Sequence, residues 1–240
     1  MCYITLMQRN QGVVLDEAFS SIQRVETLAD QARNALCAGL RQGLLAPGER
    51  ITTRRVATML NISLTPAREA LNRLLAERVL DQGPNRTVAV PVLTRTRYAE
   101  LCLIRLELEA LAARHASPLI SAADIDRLET LFDAHGHAFA TKDSKRSLQL
   151  NEAFHFTIYA ASGLSVLVEM LDALWLQVGP SMNLLFPAAF EGRWTGGRNH
   201  RVMLDALRAR DAEALVAAVR KDLIEGRARL NTVLPAEAAH

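Results

Sequence analysis

Arg105 stands in the run Leu101-Cys102-Leu103-Ile104-Arg105-Leu106, whose other residues suit burial. An unpaired guanidinium there would be costly. Two arrangements remove the cost: Glu109, one helical turn on, neutralises it, or it points into a cavity and takes the carboxylate of a small molecule with its planar fork. Asn151 and His155 stand four residues apart, which puts both on one face of a helix and within reach of a common ion. The competing reading of His155 is a hydrogen-bonded core histidine. His115, His135, His137 and His240 have no partner at useful spacing and read as surface residues, while Trp175 and Phe154 read as packing. Cys2, Cys37 and Cys102 are an odd number without a C-x-x-C pair, so neither a disulfide framework nor a thiolate zinc site is indicated.

Charge is divided unevenly along the 240 residues, although the net charge is only +2. Residues 28–93 hold nine arginines and no lysine against five acids, whereas residues 94–240 carry 17 bases and 18 acids. A local basic face, not a basic total, is what nucleic-acid binding needs. No apolar run approaches the ~18 residues that span a bilayer, and the opening Met1–Val14 lacks a basic start followed by a sustained apolar stretch. The expectation is a soluble, cytoplasmic protein with no membrane partner.

The elements that must position these residues fall into two groups. Residues 1–20 show no clean period and read as a flexible leader. A helix is expected from near Ser20, in which Leu28, Ala32, Ala35, Leu36 and Leu40 recur at helical spacing, ended by Gly43 and the Pro47-Gly48 turn. A short second helix starts at Thr52 or Thr53, turns Val56, Met59 and Leu60 inward and stops at Asn61 in a left-handed conformation. The third begins after Ser63 with Pro66 in its first turn; its stripe of Ala67, Ala70, Leu71, Leu74 and Leu75 leaves Thr65, Arg68, Asn72 and Arg73 on other faces. Two short strands around Gly83-Pro84-Asn85-Arg86 complete a winged helix-turn-helix. From Thr94 onward the pattern is helical throughout, with helices expected near 94–116, 122–141, 144–161, 164–186, 197–209 and 211–233 and breaks at Pro118, Gly163, Pro187 and Gly192/Gly196/Gly197. The fold class is therefore mainly α: a winged helix-turn-helix over 21–93 and an all-helical bundle over 94–240, whose interior can build a ligand or metal site.

Pro47-Gly48-Glu49-Arg50-Ile51, followed by Ser63-Leu64-Thr65-Pro66-Ala67-Arg68-Glu69-Ala70-Leu71, resembles the hallmark of GntR-type transcription regulators. The helical part resembles the FCD sensory domain of the FadR-like branch in Arg105-x-x-Leu108-Glu109, Asn151-x-x-Phe154-His155, Ser162-Gly163 and His200-Arg201. That resemblance covers residues 20–232. It implies a bacterial regulator, a repressor among the possibilities, whose third helix enters the major groove of double-stranded operator DNA and whose wing meets the backbone or minor groove. By position it assigns DNA contact to Arg54, Thr65 and Arg68, with Arg86 at the wing tip and Arg55 and Arg73 as secondary candidates. Arginine can hold guanine O6 and N7 with two hydrogen bonds, and threonine hydroxyls suit phosphates. Leu64 stands where the family has an arginine, which exchanges a base-reading cation for an apolar contact, and Asn85 and Thr87 replace glycines of the wing.

Many FCD relatives hold a metal through an Asp, a His four residues on and two later His. The resemblance places Asn151, His155, His200 and Asp222 at those positions. Two histidines and a carboxylate suit Zn, Ni or Mn as a divalent ion, with open positions for water or an effector, and Asn151 adds only a neutral carbonyl oxygen. Arg105 and Asn151 are the effector-binding candidates, the effector a small carboxylate. A homodimer is expected, since one recognition helix contacts few base pairs. Two other functions compete: a metal-dependent hydrolase using His155, His200 and Asp222, for which no general base or nucleophile stands beside them, and a dimeric interaction module that has lost DNA binding, favoured only by Leu64 and Thr87.

Overall fold

The computed structural model describes residues 26–83, 87–185 and 196–236; the leader, Arg86, Asn85, Pro187, Gly192 and His240 lie outside them. Helix α1 (Leu28–Arg41) opens with a capping box: the Thr27 hydroxyl accepts from the Asp30 amide, and the Asp30 carboxylate accepts from the Thr27 amide. Its inner face buries Ala32, Leu36, Cys37 and Leu40. Gly43 then turns the chain at φ +63°, a left-handed conformation that glycine adopts without strain. Strand β1 (Arg50–Ile51) leads into α2 (Thr53–Leu60), capped by the Thr52 hydroxyl and stopped by Asn61 at φ 52°, the left-handed stop its sequence position implies. Met59 differs from the expectation: it is 53% exposed, because Val56 and Ala57 take the inner face of so short a helix.

Helix α3 (Leu64–Ala76) buries Ala67, Ala70, Leu71 and Leu74 against α1 and α2. Strands β2 (Asp81–Gln82) and β3 (Val88–Ala89) form the wing. The sheet has the order β1-β3-β2, antiparallel throughout, with Ile51 opposite Val88 and Gln82 opposite Val88 on the other side. The third strand, β1, is an addition to the two that the sequence pattern supplies.

The remainder is helical: α4 (Arg95–Leu119), α5 (Ala122–Ala140), α6 (Ser144–Ala161), α7 (Ser165–Met182), a 3-10 turn (Asn183–Leu185), α8 (Gly196–Ala209) and α9 (Ala212–Val233). Pro118 does not break α4 but lies in its last turn, where it removes one ladder hydrogen bond, that to the Arg114 carbonyl, just before the helix ends at Leu119. Gly196 and Gly197 likewise begin α8 instead of separating helices. The bundle core joins Ala113, Leu128, Phe154, Ile158, Met203, Leu204 and Val219.

The two groups of elements share a tight joint. Leu176 of α7 packs into the core of the winged part, and a Cβ on Gly179 would come within 2.5 Å of the Leu40 carbonyl oxygen. Arg41, in the last turn of α1, donates from Nε to Glu152 of α6 at 2.7 Å and from Nη1 to Asp172 of α7 at 2.7 Å. The Asn183 amide closes the joint on the Gly43 carbonyl at 2.5 Å.

Candidate metal and ligand site and DNA-reading face

Three helices bring His155 (α6), His200 (α8) and Asp222 (α9) together. The Nε2 atoms of the two histidines lie 3.2 Å apart, and His155 Nε2 lies 3.5 Å from Asp222 Oδ2; one donor atom from each residue falls within 4.8 Å of the others. An ion about 2.1 Å from each of its donors at tetrahedral angles separates those donors by about 3.4 Å. The two measured spacings bracket that value and the remaining pair lies within 4.8 Å, so a small closing movement of the side chains would bring all three donors onto a small divalent ion. Both histidines are buried among apolar and aromatic groups, with Phe154 stacked on His200 at 4.4 Å between ring centres.

The electrostatics favour the metal-binding protonation states. Burial, against the opposing charge of Asp222, pushes His200 down to about 3, so its imidazole is neutral at physiological pH. For Asp222, burial acts to raise the pKa, but the hydrogen bonds with His155 and from the Asn199 amide outweigh it and hold the carboxylate at about 2. Asn199 sets the carboxylate's orientation, donating to Asp222 Oδ1 at 3.3 Å and to Glu225 at 2.9 Å. Nδ1 of His200, the nitrogen turned away from His155, is buried without a hydrogen-bond partner among the described residues.

Arg105, Asn151, Trp175 and Arg229 line the same cavity of about 50 Å3 with the three donors, room for an ion with a few waters or for a small carboxylate group. Asn151 lies one turn before His155 and is half-buried. Arg105 is 5% exposed. Glu109 neutralises it, Nε donating to Oε1 at 2.7 Å, while the guanidinium lies 4.9 Å over the Trp175 ring and lines the cavity. Trp175 packs, and it also lines the cavity.

His135 corrects the sequence reading. It is 3% exposed on α5, its ring centre 5.6 Å from that of His200, and burial lowers it to about 4. The available signal was its position seven residues after Leu128 and three before Ala138, the inward stripe of α5. His115 and His137 are exposed, as their spacing implied. Sequence reasoning also missed Tyr159, whose hydroxyl oxygen lies 3.4 Å from His155 Nδ1, and Asn199; neither side chain stands out by type or spacing.

On the winged part, Thr65 and Arg68 of α3 and Arg54 of α2 are exposed, and neither arginine forms an ion pair among the described residues. Leu64, 49% exposed, stands beside them at the start of α3. Arg55 instead pairs with Glu49 at 2.5 Å and reaches the Arg50 carbonyl, and Arg73 pairs with Asp30. Both therefore have an intradomain partner, unlike Arg54 and Arg68, while remaining exposed.

Comparison with known proteins agrees with this architecture. Residues 28–90 match the model described as bacterial regulatory proteins, gntR family, and residues 100–224 match the FCD domain. The chain is 32% identical over 188 residues to the HTH-type transcriptional regulator McbR of Escherichia coli (strain K12), covering 78% of this chain and 85% of that protein. It is 27% identical to the probable D-xylose utilization operon transcriptional repressor of Paenarthrobacter nicotinovorans, across 78% and 81% of the two chains. The solved structure of E. coli McbR/YncC superposes with a TM-score of 0.80 at 29% identity, covering 87% of this chain and 99% of that one. With a winged DNA-binding unit followed by an FCD helical domain, the chain belongs to the GntR family of bacterial transcription regulators.

Proposed function

We propose that this regulator binds a pseudo-palindromic operator as a cytoplasmic homodimer through Arg54, Thr65 and Arg68, and that a small carboxylate bound in its helical domain, beside a divalent metal, controls that binding. GntR regulators bind operator DNA and FCD domains bind small-molecule effectors; the dimer, the carboxylate and the metal are this reading's additions. The observation that carries it is the convergence of His155, His200 and Asp222, from three helices, at metal-ligand spacing within a cavity that also presents Arg105. A bound ion would supply positive charge and open coordination positions for an anion. His155 and His200 would provide neutral imidazoles, Asp222 the carboxylate and Asn151 an amide oxygen. Arg105 would orient the effector's carboxylate, Nε remaining with Glu109 and the outer edge of the fork engaging the anion. A hydrolase is not favoured, because the relatives are named regulators.

Metal analysis of the full-length protein and of the His155→Ala/His200→Ala double variant, after exposure to Zn2+, Ni2+ or Mn2+ and dialysis, tests the site. The expected result is one ion per chain in the native protein and none in the variant; equal retention would remove the metal from the proposal. Light scattering tests the assembly and should give about twice the 26.4 kDa chain mass.

A further inference from the structure

We propose that the groove between the winged part and the bundle is a second ligand site, and that it takes an amphipathic cation: a protonated amine on an apolar body. This is independent of the metal reading above. The groove has a volume of about 560 Å3, against about 50 Å3 for the cavity at His155. Sites for small molecules span roughly 300–1,000 Å3 and favour the junctions between domains. The floor is apolar and comes from both units. Val79 and Leu176 belong to the core of the winged part, whereas Phe156 and Val168 pack beside Leu171 and Trp175 of the bundle. The two cores do not meet along the groove, so a molecule seated there removes apolar surface of both from water. By touching Val79 and Phe156 at once it also favours the joint in the form seen here.

The charge of the occupant follows from the rim. Arg33 of α1 is held by Glu77, Nε donating to Oε1 at 2.9 Å and Nη2 to Oε2 at 2.6 Å. Arg41 is shared between Glu152 and Asp172 at 2.7 Å each, so one cation faces two carboxylates. Glu169, exposed on α7 one turn before Ala173, makes no ion pair among the described residues. The rim acids and their partners thus hold four carboxylates against two guanidiniums, an excess of negative charge above an apolar floor. A protonated amine at this rim is attracted, and a carboxylate is repelled. The preference is therefore opposite to that of the cavity at Arg105.

The test is calorimetric titration of the full-length protein with three probes that share one apolar body: phenylbutylamine, phenylbutanol and phenylbutyrate. The amine should bind most tightly, the alcohol less and the anion least. Glu169→Gln removes a rim charge with little change of shape. It should weaken amine binding roughly 2–5-fold, the size of an exposed charge pair, and leave the alcohol unchanged. Ala173→Trp places an indole in the groove from an exposed position; it should abolish amine binding and keep a melting temperature close to that of the native protein. His155→Ala/His200→Ala should bind the amine as the native protein does. Amine affinity no higher than that of the alcohol overturns the proposal, even if Ala173→Trp does not fold; so does retained binding in a folded Ala173→Trp. Loss of amine binding in the double histidine variant moves the site to the metal cavity and overturns it as well. Absence of amine binding to the native protein does the same, and if light scattering then shows the Ala173→Trp assembly dissociated, the occupant of the groove is a second copy of the chain.

Discussion

At the start of α3, Leu64, Thr65 and Arg68 present an apolar, a hydroxyl and a cationic side chain to solvent within two turns of one helix. Thr65 suits a phosphate, whereas Arg68 has the reach and the planar fork for a guanine edge. Arg68→Ala should therefore cost roughly 1–3 kcal/mol on the cognate operator and relax base preference at one position of each half-site. Titration of cognate and random duplexes at one salt concentration checks this, and equal losses on both would make Arg68 a backbone contact. These exposed residues were legible because helical period alone separates them from the buried stripe. The ligand site was legible only in part. Asn151 and His155 share a face by spacing, but His200 and Asp222 come from helices 45 and 67 residues further along the chain than His155, and only the family resemblance put them together. His135 was misplaced because a histidine's burial depends on which helix covers it, here α8 with His200, and a single helix's sequence does not identify its neighbour.

Capping chemistry sets the start of α1 at Thr27 and gives that terminus a pH dependence. The Thr27 hydroxyl, at 2.6 Å, the Thr27 amide and Arg73 together hold the Asp30 carboxyl at about 2, below its ordinary 3.8. A carboxylate whose pKa is depressed by folding stabilises the native state above its unfolded pKa, and that contribution disappears as pH falls through the folded value. Asp30→Asn should thus melt lower than the native protein at neutral pH, and the difference should close between about pH 4 and pH 2, as thermal denaturation at several pH values would show. A constant difference over that range would assign the effect to packing. Strand β1 was missed for a different reason: two residues carry no readable alternation, and Arg50–Ile51 pairs only because β3 offers it an edge. Gly179 was equally silent in the sequence. Its missing side chain lets α7 approach the backbone of Leu40 and Arg41, where a methyl would meet the Leu40 carbonyl at 2.5 Å. Gly179→Ala must separate α7 from α1 and should destabilise by roughly 1–3 kcal/mol, the cost of overpacking, read as a fall in melting temperature.

At the scale of the whole molecule, Arg41 is a charged group placed between the cavity and the proposed DNA-reading face. Its two carboxylate partners stand on the two helices that also wall the cavity: Glu152 directly follows Asn151 on α6, and Asp172 lies one turn before Trp175 on α7. Arg41 itself ends α1, whose inner face packs on the helix bearing Thr65 and Arg68. A ligand that changed the spacing of α6 and α7 could not keep both 2.7 Å ion pairs unchanged, so the geometry of this joint would then differ between ligand states. Coupling of this kind is reciprocal and typically amounts to a 5–150-fold change in affinity. With Zn2+ as the probe, the ratio of operator affinities between metal-loaded and metal-free native protein should fall in that range. Arg41→Met keeps α1 helical and retains an apolar stem for the joint while deleting both ion pairs. In this variant the ratio should move toward one, while Zn2+ affinity and the operator affinity of the metal-free protein each change by no more than a few fold. Loss of operator binding in both metal states would mean that Arg41 maintains the winged fold instead of transmitting the ligand state. An unchanged ratio would place the transmission in the apolar contacts of Leu176 and Gly179, which the substitution leaves intact.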